Sequence, residues 1–98
     1  MTITALLYLD LRAESVQDAP RVLRETLQAT RAFPGCLGVE VLDDLEDPTQ
    51  VVVLERWESE ASDAAYRAWR ATPDGASELG TLLAGPPRLQ RLSTAADV

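Results

Sequence analysis

Histidine, lysine and asparagine are absent from this chain, and cysteine occurs once, as Cys36. Each absence removes a class of chemistry. With no His and one Cys there is no His/Cys zinc site, and neither a Ser-His-Asp nor a Cys-His nucleophile can be assembled. With no Lys there is no Schiff-base chemistry. A single Cys admits no internal disulfide, which makes the cytoplasm the expected compartment. Long hydrophobic runs are missing too. The opening stretch MTITALLYLDLRAES lacks a basic n-region and is too short to span a bilayer, so neither export nor membrane insertion is expected. Positive charge is scarce: nine Arg face sixteen Asp and Glu, for a net charge of −7 and a pI of about 4.4. That balance argues against nucleic acid or an anionic membrane surface as a partner.

What is present is ordinary globular material. The 98 residues are 46% apolar and 26% charged, which suits one domain with one core over about residues 2–93 and a frayed tail. A domain of this size buries only ~60–65% of its unfolded surface and gains stability by association. A homodimer is the expected state.

Residues 2–11, TITALLYLDL, place Ile3, Ala5, Leu7, Leu9 and Leu11 on one parity and Leu6 and Tyr8 on the other. Two partly apolar faces indicate a central strand. Val16, Ala19, Leu23, Leu27 and Thr30 then recur at helical spacing, with Ser15 or Asp18 as possible caps and Pro20 tolerated in the first turn. Pro34-Gly35 ends that helix. CLGVEVLDDLE (36–46) and QVVVLERWE (50–58) alternate around the turn Asp47-Pro48-Thr49 and form a hairpin. Leu37, Val39 and Val41 are expected on one face of its first arm. Val51, Val53, Glu55 and Trp57 are expected on one face of its second. Ser59 can cap a second helix to about Ala71, with Ala61, Ala64, Ala65 and Ala68 as its packing stripe. A short helix around Leu79 to Leu83 and a weak last strand, RLQRLS (88–93), complete the chain.

Strand, helix, strand, strand, helix, strand is the split βαβ pattern. The expected fold is α+β and ferredoxin-like, with an antiparallel four-stranded sheet covered by helices on one face. The uncovered face carries Leu and Val, and a second copy closing sheet to sheet would cover it.

FPGCLGVEVLDD, VVVLERWES, YRAWR and LLAGPPRL resemble, in order and spacing, the antibiotic biosynthesis monooxygenase family, from about Thr2 to Leu92. The most specific pieces are Phe33-Pro34-Gly35-Cys36-Leu37-Gly38 and Glu55-Arg56-Trp57-Glu58. The resemblance implies a dimeric α+β barrel with a pocket between sheet and helices in each subunit. The activities it implies are cofactor-free oxidation of anthrones and quinols in polyketide pathways and haem degradation, beside many members with no assigned activity. Trp57 matches the family's Trp at the end of the third strand. Val53 stands four residues earlier, where the polyketide oxygenases carry Asn. The haem degraders use an axial His, which this chain lacks, so no cofactor is expected.

Seven residues are the candidates for a site. Trp57 either lines the pocket of a flat aromatic and assists electron transfer, or fills the core. Tyr66 and Trp69, three apart on the second helix, either clamp a planar ligand or form a rim or dimer contact. Tyr8, if its face meets the helices, places a phenol where it can relay a proton; otherwise it is a buried Tyr with a backbone partner. Glu55 is a candidate base if buried beside Trp57, or a salt-bridge partner of a neighbouring strand's Arg. Arg70 and Val53 are candidate substrate contacts. Arg56, Arg67, Arg70, Arg88 and Arg91 could steady a developing anion, although Arg67 and Arg70 read more readily as solvated helix residues. Cys36 reads as a small buried apolar residue. Asp43, Asp44, Glu46 and Asp47 read as a solvated turn, with a hard-cation site as the alternative.

Two functions follow. One is an enzyme that oxidises an electron-rich phenol, quinol or anthrone with O2, using a dry pocket, a proton acceptor and donors for the anion. The other is a polyketide cyclase or isomerase, or a ligand-binding dimer, on the same fold.

Overall fold

A computed structural model describes all 98 residues. Strand β1 (Ile3–Asp10) leads through a 3-10 turn to helix α1 (Ala19–Ala32). Strands β2 (Cys36–Asp43) and β3 (Gln50–Trp57) follow as a hairpin, then helix α2 (Glu60–Arg70). Two 3-10 turns, Pro73–Gly75 and Glu78–Leu82, precede strand β4 (Arg88–Ser93). The sheet order is β2-β3-β1-β4, with every neighbouring pair antiparallel. This is the ferredoxin-like topology, with β1 central as its two apolar faces require.

Register fixes what each face carries. Ile3 pairs with Trp57, Ala5 with Glu55, Leu7 with Val53 and Leu9 with Val51. Because side chains alternate along a strand, this set shares the face against the helices, and most of it is buried. On β4, Arg91 pairs with Ala5 and therefore lies on the same face. The uncovered face carries Leu6, Tyr8, Val52 and Leu54, all half-buried, with the more exposed Leu42 and Leu92.

Two details depart from the sequence reading. On β2 a bulge falls between Cys36 and Gly38, so one extra residue occupies the strand and parity shifts. Cys36, not Leu37, joins Val39 and Val41 on the helix face, and Leu37 is left exposed. On α2 the alanine stripe is not the packing stripe. Ala61, Ala64, Ala65 and Ala68 are exposed, while Asp63 and Tyr66 are buried. A helix presents the face with most to gain, and the large Tyr66 ring and a fully paired Asp63 outweigh four methyl groups.

The helix ends follow local rules. Ser59 Oγ accepts from the Ser62 N–H at 3.1 Å and starts α2. Asp18 occupies the N-cap of α1 without a side-chain bond, and Pro20 lies in the first turn. Val16 lies before α1 rather than on it. Gly35 takes φ of 90°, and a Cβ there would collide with Ser62 Oγ; only glycine lets the chain turn from α1 into β2 that close to α2.

Two apolar clusters fill the space between sheet and helices. The larger joins Leu9, Leu11, Val22, Leu23, Leu27, Val51 and Val53 with Leu82 and Leu83. The smaller joins Ile3, Ala5, Trp57 and Tyr66, with Phe33, Cys36 and Trp69 against them.

Candidate functional site

The smaller cluster contains most of the residues singled out from the sequence. Trp57 is fully buried because β3 points it between α1 and α2. Its ring centroid lies 4.8 Å from Tyr66 and 6.1 Å from Phe33, and Phe33 lies 5.5 Å from Trp69. Such contacts each contribute about 0.5–1.5 kcal/mol beyond burial.

Around the rings runs a polar network. Trp57 Nε1 donates to Glu55 Oε1 at 3.0 Å. Arg67 of α2 reaches the same oxygen, and also donates to Asp63 Oδ1 at 3.2 Å. Arg91 of β4 holds the other oxygen of Asp63. Both carboxylates are buried, so ionic partners are what make their burial tolerable. Two carboxylates and two guanidiniums thus tie β3, α2 and β4 together. Glu55 does form a salt bridge, but to a helix Arg rather than a strand Arg. Arg67 is correspondingly no solvated residue.

Arg70 is equally engaged. It donates to Tyr66 OH at 2.7 Å, to Thr30 Oγ1 and the Thr26 carbonyl at 2.9 Å each, and to the Gly75 carbonyl at 3.2 Å. Tyr66 OH also bonds Thr30 Oγ1 at 2.7 Å. These bonds join α1, α2 and the following turn, and they saturate the Tyr66 hydroxyl. A Cβ at Gly75 would collide with the Trp69 carbonyl, so this join is also a close backbone approach.

Trp57, Tyr66, Trp69, Glu55 and Arg70 therefore come together, with Val53 two residues from Glu55 on the same face. Tyr8 does not join them. It lies on the uncovered face, where its hydroxyl donates to Gln90 Oε1 at 2.9 Å and Arg88 stacks 4.0 Å above its ring. The condition attached to Tyr8, that its face meets the helices, fails because it has the opposite parity to Ile3 and Leu9. Cys36 packs beside Trp57, and burial raises its thiol pKa above the ordinary 9.0, aided by the nearby Glu55 charge. It is protonated at neutral pH.

The open space lies elsewhere. A cleft of about 710 Å³ separates α1 from the β2–β3 hairpin. Leu11, Leu23, Leu27, Val41 and Val51 form its wall. Arg24 and Arg31 of α1 stand on one side of its mouth, and Asp43, Asp44 and Glu46 of the hairpin on the other. Neither this cleft nor a smaller one of about 360 Å³ is lined by Trp57, Glu55, Tyr66, Val53 or Tyr8; the smaller one touches Trp69 and Arg70. Asp43, Asp44 and Glu46 read from sequence as a solvated turn or a cation site rather than as one edge of a cleft, and Arg24 and Arg31 escaped the sequence reading. Their one signal was the position of Arg24 and Arg31 next to Leu23, Leu27 and Thr30 in the stripe of α1, a spacing equally consistent with a solvated flank.

At the hairpin, Asp44 Oδ1 accepts from the Glu46 and Asp47 N–H groups at 2.8 and 3.1 Å. Asp47 Oδ1 accepts from Thr49 Oγ1 at 2.7 Å and Thr49 N–H at 3.0 Å, which holds the Asp47 carboxyl below its ordinary 3.8. The acidic residues here build a turn, and no group of three or more of them is placed to hold a metal ion. Asp43 is different: it pairs with Val51, faces the helices and points at the cleft.

The sequence profile described as "Antibiotic biosynthesis monooxygenase" matches residues 2–75. The chain belongs to the antibiotic biosynthesis monooxygenase family. No curated protein matches its sequence. Several solved structures share its fold. Rv0793 from Mycobacterium tuberculosis superposes with a TM-score of 0.78 at 19% identity, covering 99% of this chain and 98% of the other. A conserved protein from Methanosarcina mazei Go1 gives 0.79 at 20% identity, covering 97% and 94%. A crystal structure of an antibiotic biosynthesis monooxygenase gives 0.79 at 18% identity, covering 95% and 98%. At these identities the likeness is one of fold. Within the family's fold, this chain fills one end of the space between sheet and helices with aromatic rings and the other with aliphatic side chains, and the cleft opens beside the latter, between α1 and the hairpin.

Proposed function

We propose that the chain is a monooxygenase acting with O2 on an electron-rich aromatic, of phenolic, quinol or anthrone type, bound in the cleft between α1 and the hairpin. The observation that carries the reading is the cleft itself. At about 710 Å³ with an aliphatic wall and a charged mouth, it falls in the size range of sites for small organic ligands, roughly 300–1,000 Å³.

The chemistry needs little from the protein. Triplet O2 reacts slowly with a neutral singlet molecule, but a substrate anion can pass it one electron. For an anthrone-type methylene, Asp43 accepts one C–H proton and the anion gives an electron to O2. Recombination of the radical with superoxide gives a peroxide anion, which takes the proton back from Asp43; the hydroperoxide then loses its remaining C–H proton and hydroxide, together as water, to leave a carbonyl. One oxygen atom enters the product and the other leaves as water, so no external reductant is required. A carboxylate is a weak base for such a proton, and the anion must be stabilised where it forms. Arg24 and Arg31 are placed for that, and the aliphatic wall suits apolar O2.

The test is oxygen uptake by purified protein on a panel of anthrones and hydroquinones, against boiled protein. Uptake matched by carbonyl or quinone product supports the reading. Substrate conversion without oxygen consumption would instead support a cyclase or isomerase in the same cleft, which needs only the proton acceptor and the anion site.

A homodimer is part of this proposal. Leu6, Val52 and Leu54 lie half-buried on an otherwise open sheet, and two such faces pack about 10 Å apart when sheets stack. Light scattering should give twice 10.7 kDa, and Leu54→Arg, which places a charge mid-face, should give the monomer.

A further inference from the structure

Arg24 and Arg31 sit seven residues apart on α1, two turns along one face, or about 10 Å by the helical rise. Both line the cleft mouth. Neither forms an ion pair. The pairs in this protein are Arg21 with Glu25, Arg67 with Glu55 and Asp63, and Arg91 with Asp63. Arg31 makes one long bond, 3.3 Å, to the Val39 carbonyl, and Arg24 makes none.

Shortage of acid is not the reason, because sixteen carboxylates face nine arginines. Most of the other arginines are used structurally: Arg67 and Arg91 on buried carboxylates, Arg70 on Tyr66 and carbonyls, Arg12 on the Leu83 carbonyl, Arg88 on Tyr8; Arg56 has no partner either, but it lies on the uncovered face of the sheet, away from the cleft. Of the arginines outside any ion pair, Arg24 and Arg31 are the two that line the cleft, Arg31 with its one long bond to a carbonyl. The hairpin side of the mouth presents the opposite chemistry, with Asp43 as an acceptor for a ligand hydroxyl. The net charge of −7 repels anions at long range, but that field is screened beyond about 8 Å at physiological salt, so recognition falls to groups at the mouth.

We infer that Arg24 and Arg31 form an anion-recognising edge that selects aromatic acids: a flat apolar body in the cleft, a carboxylate or sulfonate on the arginines, and a hydroxyl or activated methylene toward Asp43. This rests on the cleft being the substrate site and adds the class of substrate. A guanidinium donates two parallel bonds to an oxyanion, so the pair orients the ligand as well as holding it.

The experiment uses two probes with one ring skeleton, anilinonaphthalene sulfonate and its uncharged parent N-phenylnaphthylamine, titrated by fluorescence into the wild type and the Arg24→Gln/Arg31→Gln variant. Both positions are exposed, so the variant folds, and circular dichroism checks this. The variant should bind the sulfonate about tenfold more weakly, the scale of one lost charge-assisted contact. The uncharged parent should bind within twofold of wild type. Raised salt should weaken sulfonate binding to wild type and leave the variant unmoved. Equal losses for both probes, no loss for either, or no binding to wild type each overturn the inference. Oxygen uptake is not read here, so an inactive protein that still discriminates the probes refutes the oxygenase reading alone.

Discussion

Arg67 is a residue whose removal should cost this fold a measurable share of its stability. It serves Glu55 and Asp63 together, side chains only 2% and 0% exposed. Breaking a buried ion pair from one side costs about 3–5 kcal/mol, because a charge is left without a partner. Two features of the structure lower that figure. The Arg67 side chain is 24% exposed, so water screens part of its charge, and Asp63 keeps Arg91. Glu55 keeps only the Trp57 N–H. Arg67→Met, which retains the apolar stem, should therefore destabilise by about 2–3 kcal/mol. Glu55→Gln preserves an acceptor for Trp57 and should cost about 1–2 kcal/mol. Since both substitutions strike the same contact, the double variant should fall short of their sum by about 1–2 kcal/mol. Urea denaturation of the four proteins, with a shared slope, measures all of this. An Arg67→Met loss under about 0.5 kcal/mol, or a coupling energy of zero, would refute the argument that this network is buried and interdependent.

Three further outcomes follow from the geometry. Trp57→Phe removes the N–H bond to Glu55 and opens space in a filled cluster, so it should lower stability by about 2 kcal/mol. If the chemistry lies in the cleft, its kcat/KM should stay within about threefold of wild type, whereas a tenfold loss (about 1.4 kcal/mol) in a folded variant would return the reaction to Trp57. Gly35→Ala forces a Cβ into Ser62 Oγ at a positive φ and should cost about 1–3 kcal/mol by thermal or urea melting; an unchanged melt would show that the α1–β2 turn relaxes freely. Asp47 titrates below its ordinary 3.8 when folded, so its stabilisation is present above that pH and is lost as pH falls through the folded value. Thr49→Val should raise the Asp47 carboxyl pKa, read by carbon NMR, and a static value would remove Thr49 Oγ1 as the cause.

The fold was legible because its signals are local and repeated. Alternation on β1 and β3, the Pro34-Gly35 break and the Ser59 cap each decide an element without long-range information. Legibility failed where one residue changes the bookkeeping of faces, as at the β2 bulge, or where composition and burial disagree, as on α2. Four alanines at helical spacing look like a packing stripe only if nothing larger competes. Tyr66, Asp63 and Arg67 compete through partners on α1, β3 and β4 that no window of sequence contains. Tyr8 shows the same limit: its parity was visible, but which parity faces the helices is set by where α1 and α2 land.

The candidate site was half legible for a related reason. Aromatic and charged residues drew attention to the Trp57 end, and they do assemble there, but their polar atoms are spent on each other. Tyr66 OH, Trp57 Nε1, Glu55 and Arg70 all have partners, and a ligand could reach them only by displacing bonds that hold three elements together. The cleft end is built from Leu and Val, which sequence analysis assigns to a core by default. Leu11, Leu23, Leu27 and Val51 are indeed core residues, and what makes a cleft beside them is not residue type but the gap between α1 and the hairpin. The chemical mark of that gap is a pair of arginines that form no ion pair. An arginine outside any ion pair beside an apolar cleft, in a chain rich in acid, is a better guide to a ligand than a tryptophan whose N–H is already bonded.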